Sequence, residues 1–404
     1  MSEILFLNIN GPDHPGITAC FTEALARHSV NILDIDQAVT HDYLSLGMSL
    51  EIPQGESPAP ILEELQALAM EQGVRIWSTP ILLDDYERWV ARQGQPRYIV
   101  TLLGRKLSAA NIGHVAAVVS RHGLNIDAIS RLSGRFSLRD ANPRRRACIE
   151  FSIRGAAEDP ERLRHDLLAI TRDDEVDVAF QADDLFRRNR RLIVFDMDST
   201  LVQCEVIDEL ARAAGVGDQV AAITEAAMRG DIPFNESFER RLAALVGLDE
   251  SVLERIAREL PVTEGAERLI ANLKRLGYKV GILSGGFTYF AEHLQRRFGI
   301  DCVSANRLDI VDGRLTGRVM GEIVDGAKKA ELLRGMADQL GIDMRQTIAV
   351  GDGANDLPML RIAGLGIAFH AKPLVRERAR HAISTLGLDS ILYLLGVNDQ
   401  ETTL

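Results

Sequence analysis

The feature that most constrains this chain is a short apolar run ending in paired carboxylates. Leu192-Ile193-Val194-Phe195 leads into Asp196-Met197-Asp198-Ser199-Thr200. The run has the length of a buried strand. Two carboxylates two residues apart at its end suit a division of labour. One can serve as nucleophile and metal ligand, the other as proton donor and acceptor. An isolated Asp-x-Asp means little, but two later segments give this one weight: Leu283-Ser284-Gly285-Gly286 and Gly351-Asp352-Gly353-Ala354-Asn355-Asp356. Strand-like stretches at 192–195, 280–283 and 347–350 alternate with helical ones. That pattern implies an α/β fold, a Rossmann-like parallel sheet with crossover helices. Reactive groups in such a sheet lie beyond the carboxyl ends of the strands, where all three motifs sit. Ser284-Gly285-Gly286 reads as the end of a strand and the start of a helix through Phe298, with free N–H groups at its N-terminus. Residues from 206 to about 260 read as mostly helical, broken at Met228-Arg229-Gly230-Asp231-Ile232-Pro233. An insertion there can fold over the sheet edge as a cap.

A chain of 404 residues has room for two or three domains at about 150 residues each. Residues 1–84 read β-α-β-β-α-β, with strands at 4–9, 30–39, 44–52 and 74–77. One helix follows the loop Gly11-Pro12-Asp13-His14-Pro15-Gly16, and another spans 59–70. Residues 97–181 repeat the order, with strands at 98–103, 125–132, 147–153 and 176–180 and helices at 109–122 and 161–171. Ser29-Val30-Asn31-Ile32-Leu33-Asp34 has its counterpart in Gly123-Leu124-Asn125-Ile126-Asp127-Ala128. Each repeat buries one sheet face under two helices, an α+β ferredoxin-like unit. Arg187, Arg188, Arg190 and Arg191 precede the third block, 191–404, and read as a solvated basic face.

The net charge of −12 argues against a nucleic-acid partner. No apolar run approaches the ~18 residues of a membrane span, and the N-terminus has no basic, cleavable leader. A cytoplasmic protein is expected. Cys20, Cys148, Cys204 and Cys302 are far apart, with no Cys-x-x-Cys pair, and read as buried free thiols.

The two repeats resemble the ACT domain, a small module that often binds amino acids. Gly11, Asp13, Pro15 and Gly16 match its Gly-x-Asp-x-Pro-Gly loop. The resemblance implies effector contacts at Gly11, Asp13, Asn31 and Ile32, an amino-acid effector such as serine, and a homodimer. The second repeat reads Gly104-Arg105-Lys106-Leu107-Ser108-Ala109 and keeps only Gly104 of that loop. Ligand binding extends less readily to that copy.

The third block resembles the phosphoserine phosphatase family of the haloacid dehalogenase superfamily. The resemblance implies that Asp196 is the nucleophile and Asp198 the general acid and base. It implies Mg²⁺ held by the carboxylates of Asp196 and Asp352 and the backbone carbonyl of Asp198, with Asp356 behind them. Ser284, Gly285 and Asn355 would meet the phosphate. Lys329 would neutralise charge there, with Lys328 the alternative one residue earlier. Glu205 would read a substrate ammonium, Arg241 would clamp its carboxylate, and Phe234, with Met228, would give apolar cover. The implied reaction is hydrolysis of O-phospho-L-serine to L-serine and phosphate through an aspartyl-phosphate, the last step of serine biosynthesis. The alternative is a phosphatase or phosphotransferase for another small phosphorylated metabolite.

Overall fold

The structure is a computed structural model. It describes residues 3–137, 139, 145–173, 176–229 and 231–403, with backbone alone at 172, 173, 228 and 234. The chain divides into two compact units, Met1–Gln95 and Pro96–Leu404.

The first unit comprises β1 (Glu3–Pro12), α1 (Ile17–Arg27), β2 (Asn31–Thr40), β3 (Tyr43–Ile52), α2 (Pro58–Gln72) and β4 (Arg75–Ile81). The strands form an antiparallel sheet in the order β2-β3-β1-β4. Alternation sets the buried face: Leu44, Leu46, Met48, Leu50 and Ile52 of β3 all point inward, onto Phe21 and Leu25 of α1 and Leu65 of α2. Ser57 caps α2, and Gly73 closes it at φ 66°. A further helix, α3 (Leu83–Ala91), follows in a stretch where sequence reasoning placed nothing. It buries no residue, so no tertiary apolar stripe marks it.

The second unit opens with the same order: β5 (Arg97–Gly104), α4 (Ala109–Arg121), β6 (Asn125–Arg131), β7 (Ala147–Arg154), α5 (Pro160–Asp173) and β8 (Asp177–Ala182). The sheet order β6-β7-β5-β8 repeats that of the first unit. Beyond it lie β9 (Leu192–Phe195), the cap helices α6 (Val206–Ala213), α7 (Gly217–Arg229), α8 (Phe234–Ala243) and α9 (Ser251–Glu259), and α10 (Ala266–Arg275). Then follow β10 (Lys279–Phe287), α11 (Thr288–Phe298), β11 (Cys302–Val311), β12 (Arg314–Met320), α12 (Gly326–Gln339), β13 (Thr347–Gly351), α13 (Leu357–Ile362), β14 (Leu365–Phe369), α14 (Pro373–Arg378), β15 (His381–Ile383) and α15 (Ile391–Leu394). These strands make one sheet, β12-β11-β10-β9-β13-β14-β15.

The sheet is mixed rather than all parallel, because β12 runs antiparallel to β11. The two are joined through Asp312-Gly313, both at positive φ (52° and 72°), as a two-residue hairpin loop requires. The arginine run also departs from expectation. Arg187 and Arg190 are buried: Arg187 pairs with Glu150, and Arg190 donates to the carbonyls of Arg345 and Thr347. Only Arg188 and Arg191 face solvent. Backbone carbonyls at the foot of the sheet and the half-buried Glu150 carboxylate supply what a guanidinium needs in order to leave water.

Leu103, Cys148 and Ala179 share one core with Ile193 and Phe195, so the second small sheet and the large one, though separate sheets, are joined through their packing. Polar ties reinforce the join. Arg105 grips Glu264 through two bonds (3.0 and 2.8 Å) and donates to the Thr385 carbonyl. Asp177 accepts from the N–H groups of Ser384 and Thr385 and from the Thr385 hydroxyl. The four cysteines are free; Cys148 is buried and the others half-buried. No helix among the described residues is long and apolar enough to cross a membrane.

Candidate active site

The register of β9 builds the site. Phe195 lies level with Ile282 of β10 on one side and Val350 of β13 on the other. Asp196, Ser284 and Asp352 therefore leave the sheet at the same edge. Phe195 and its three predecessors are fully buried, and the Asp196 N–H donates to the Val350 carbonyl (2.8 Å), so the chain cannot slip here. A tight turn over 197–201 follows. Asp196 Oδ1 accepts from the Met197 N–H, Ser199 sits in the left-handed region at φ 57°, and the Thr200 hydroxyl donates to Asp352 Oδ1 (3.0 Å).

Lys329 stands in the first turn of α12, which Asp325 caps by accepting from the Lys328 N–H. Its ammonium is fully buried and reaches Asp196 Oδ1 (2.8 Å) and Asp356 Oδ1 (2.7 Å). Lys328 points outward to Glu322 and Glu331. Burial alone would depress the Lys329 pKa, but Asp196 and Asp356 more than offset this, and the net shift is upward.

Asp196, Asp352 and Asp356 each offer a carboxylate oxygen within 4.8 Å of the others. Burial, reinforced by Asp196, Asp356 and Glu205, pushes Asp352 up to about 8. Burial and Asp196 push Asp356 up to about 6 against the pull of Lys329. Burial, then Glu205 and Asp196, hold Asp198 well above the usual carboxylate range, and its Oδ1 is buried with no hydrogen-bond partner. A set of clustered, unbalanced carboxylates with no nitrogen or sulfur ligand fits a hard divalent cation.

A cavity of about 850 Å³ opens in front of these groups. Its floor is Asp196, Asp198, Ser284, Gly285, Asp352 and Asn355, and its cap side includes Glu205, Asp208, Phe238 and Arg241. Glu205 is solvent-accessible, but the solvent it meets fills a cavity mouth. Burial there raises its carboxyl, while the Ser199 hydroxyl donates to it (2.8 Å) and opposes the rise. Burial lowers Arg241, opposed by Glu205 and Asp208.

Lys329 and Asp356 meet behind Asp196, off the cavity wall. Other expectations need correction. The Ser284-Gly285-Gly286 segment does not open the helix. It stays extended within β10, and α11 begins at Thr288. The Gly286 N–H is already taken by Ser284 Oγ (2.9 Å). Phe234 begins α8, and its side chain, like that of Met228, lies outside the described residues. The aromatic wall described here is Phe238, one helical turn on, packed against Phe287. Neither Phe238 nor Thr200 was singled out from sequence; the i+4 spacing of Phe238 from Phe234 was the available signal.

The four effector residues do not converge within one domain. Gly11 pairs with Leu44, whereas Asn31 pairs with Glu51, seven positions further along β3. At about 3.3 Å per residue the two lie ~23 Å apart. Because α1 carries the chain back along the sheet, the loop that ends β1 and the start of β2 fall at opposite ends. In the second repeat the corresponding loop is occupied, with Arg105 bound to Glu264.

Comparison with known proteins agrees with this geometry. The profile of the haloacid dehalogenase-like hydrolases matches residues 190–364, and ACT domain profiles match 3–78 and 97–181. The chain is 43% identical over 401 residues to a phosphoserine phosphatase of Streptomyces coelicolor, covering 98% of this chain and 93% of that one. It is 42% identical over 397 residues to the phosphoserine phosphatase SerB2 of Mycobacterium tuberculosis, covering 98% and 94%. Among solved structures, a haloacid dehalogenase family hydrolase from Salmonella enterica serovar Typhi superposes with a TM-score of 0.64 at 30% identity, over 74% of this chain and 98% of that one. A probable phosphoserine phosphatase from Vibrio cholerae gives 0.57 at 34% identity, over 74% and 86%. Fold and site together define a haloacid dehalogenase-like hydrolase carrying two ACT domains. The chain belongs to the phosphoserine phosphatase family, and it is a phosphatase.

Proposed function

We propose that the chain hydrolyses O-phospho-L-serine to L-serine and phosphate, the last step of serine biosynthesis. The observation that carries this reading is a single cavity lined by both the Asp196/Asp198 pair and the Glu205/Arg241 pair. An Asp pair at a strand end serves phosphoryl transfer, and an opposed carboxylate and guanidinium read an amino-acid head group.

In this mechanism the Asp196 carboxylate attacks phosphorus as the bond to the serine oxygen breaks. Asp198, whose carboxyl is held well above the usual range by burial and by Glu205 and Asp196, gives its proton to the departing serine hydroxyl. Water then attacks the aspartyl-phosphate and loses its proton to Asp198, so phosphate leaves and both carboxyls return to their starting states. Lys329 offsets the charge on Asp196 from behind. Ser284, Gly285 and Asn355 contact the phosphate. Mg²⁺ would be held by the carboxylates of Asp196 and Asp352 and the backbone carbonyl of Asp198, with Asp356 in support, and would supply positive charge beside the phosphoryl group. Glu205 binds the substrate ammonium and Arg241 its carboxylate, with Phe234 as cover.

Phosphate release from a panel of esters tests the reading. Phosphoserine with Mg²⁺ is expected to exceed phosphoethanolamine, which lacks the carboxylate, and 3-phosphoglycerate, which lacks the ammonium. Equal rates would transfer the assignment to another small phosphorylated metabolite or to transfer onto an alcohol.

We further propose a cytoplasmic homodimer regulated by an amino acid such as serine. Gly11 and Asp13 lie far from Asn31 and Ile32 in one domain, so an effector touching all four requires a second copy of the chain.

A further inference from the structure

Between the register pairs Leu283–Ser304 and Phe287–Asn306, β10 carries three residues and β11 one. Ser284, Gly285 and Gly286 thus form a bulge, and the ladder cannot satisfy their backbone groups. Asn306 takes over part of that task. It is 2% exposed, and its Nδ2 donates to the Gly285 carbonyl (2.8 Å). The other end of the same amide reaches a different element: Asn306 Oδ1 accepts from the Val324 N–H (2.9 Å). Val324 directly precedes Asp325, the residue that caps α12, and Lys329 rises from the first turn of that helix to Asp196. One buried side chain therefore ties the glycine bulge that faces the cavity to the helix that carries the buried cation.

We infer that Asn306 is a positioning residue for the phosphatase reaction, fixing the distance between the Ser284–Gly286 bulge and Lys329 on the two sides of Asp196. The inference rests on the roles proposed above for Asp196 and Lys329. The amide meets both demands, with a donor at one end and an acceptor at the other. Aspartate keeps the acceptor but turns a carboxylate lone pair toward the Gly285 carbonyl; protonated, it regains the donor. Leucine keeps the volume and loses both bonds. Asn306 does not itself line the cavity, and its bonds run to Gly285 and Val324 rather than to Glu205 or Arg241, so the amino-acid head group still binds when it is changed.

The test compares Asn306→Asp, Asn306→Leu and Thr288→Val, each normalised to folded enzyme by thermal melts. Thr288 stitches the same bulge through its bond to the Ala305 carbonyl and leaves Gly285 and Val324 held, so it is the structural control. Both Asn306 variants are expected to lose about 10- to 100-fold in kcat for phosphoserine with little change in KM. The kcat of Asn306→Asp relative to wild type should recover as pH falls and the new carboxyl protonates. Thr288→Val should lower Tm without that kcat loss. Wild-type kcat in folded Asn306→Asp, a ratio that stays flat with pH, or the same kcat loss in Thr288→Val would overturn the inference. If Asn306→Leu does not fold, the pH series of Asn306→Asp decides alone. Should Asp196→Asn retain turnover, the proposed reaction fails first, and for a different reason.

Discussion

Lys329 stands between two buried carboxylates and has no exposed surface. Removing one partner of a buried ion cluster leaves uncompensated charge and costs about 3–5 kcal/mol. Lys329→Met is therefore expected to lose about that much in urea unfolding and to lose turnover; a variant as stable as wild type would show that the pairing is not what holds the site. Asp352 gives a second residue-scale prediction. It titrates near 8 in the folded protein and near the ordinary ~3.9 when unfolded. Between those values the native state binds more protons, so its contribution to the stability of the metal-free protein falls as pH rises through that window. A divalent cation favours the carboxylate and displaces the proton. The Tm gain on adding Mg²⁺ should be larger near pH 8 than near pH 5, and equal gains would contradict the Asp352 assignment.

At the scale of elements, the site depends on how closely α12 approaches the loop after β13. A Cβ on Gly326 would sit 2.6 Å from the Asn355 carbonyl oxygen, closer than backbone allows. Helix propensity favours alanine over glycine by about 0.8–1.0 kcal/mol, but a clash with backbone outweighs that gain. Gly326→Ala should move α12, and Lys329 with it, and lower kcat by about 10-fold or more. Gly335, in the same helix, has nothing within 4 Å of an added Cβ. Gly335→Ala should raise stability by up to about 1 kcal/mol and leave kcat alone. If the two substitutions behave alike, close approach at Gly326 does not matter to function.

At the scale of the whole molecule, the cores separate at one place and merge at another. The core of the first unit draws only on residues before 77. Leu103, Cys148 and Ala179 instead sit in the same core as the large sheet. Among the described residues, none before Asp196 lines the cavity. A chain starting at 96 should fold and hydrolyse phosphate esters, whereas one starting at 183 exposes the apolar surface that Leu103, Cys148 and Ala179 cover and should aggregate. Activity in the shorter fragment and none in the longer would contradict this division. The same contrast explains what could be read from sequence. Strand-end motifs are local, so Asp196, Ser284 and Asp352 were legible from apolar runs followed by polar residues, and the sheet brings them to one edge. Features that arise only when distant elements become neighbours were not. Asn306 and Thr200 look like ordinary strand and turn residues until Gly285 and Asp352 arrive beside them. Arg187 and Arg190 look solvated until Glu150 and the Thr347 carbonyl enclose them. The separation of Gly11 from Asn31 follows from the return path of α1, which no motif records.

The central claim is that the Asp196 carboxylate carries the phosphoryl group between substrate and water. Rapid acid quenching of the enzyme during turnover of phosphate-labelled phosphoserine with Mg²⁺, followed by peptide mapping, tests it most directly. Label should appear on the peptide containing Asp196 in the wild-type protein and nowhere in Asp196→Asn, which should also fail to release phosphate. Full turnover by Asp196→Asn, or label transfer to a different residue, would contradict the account.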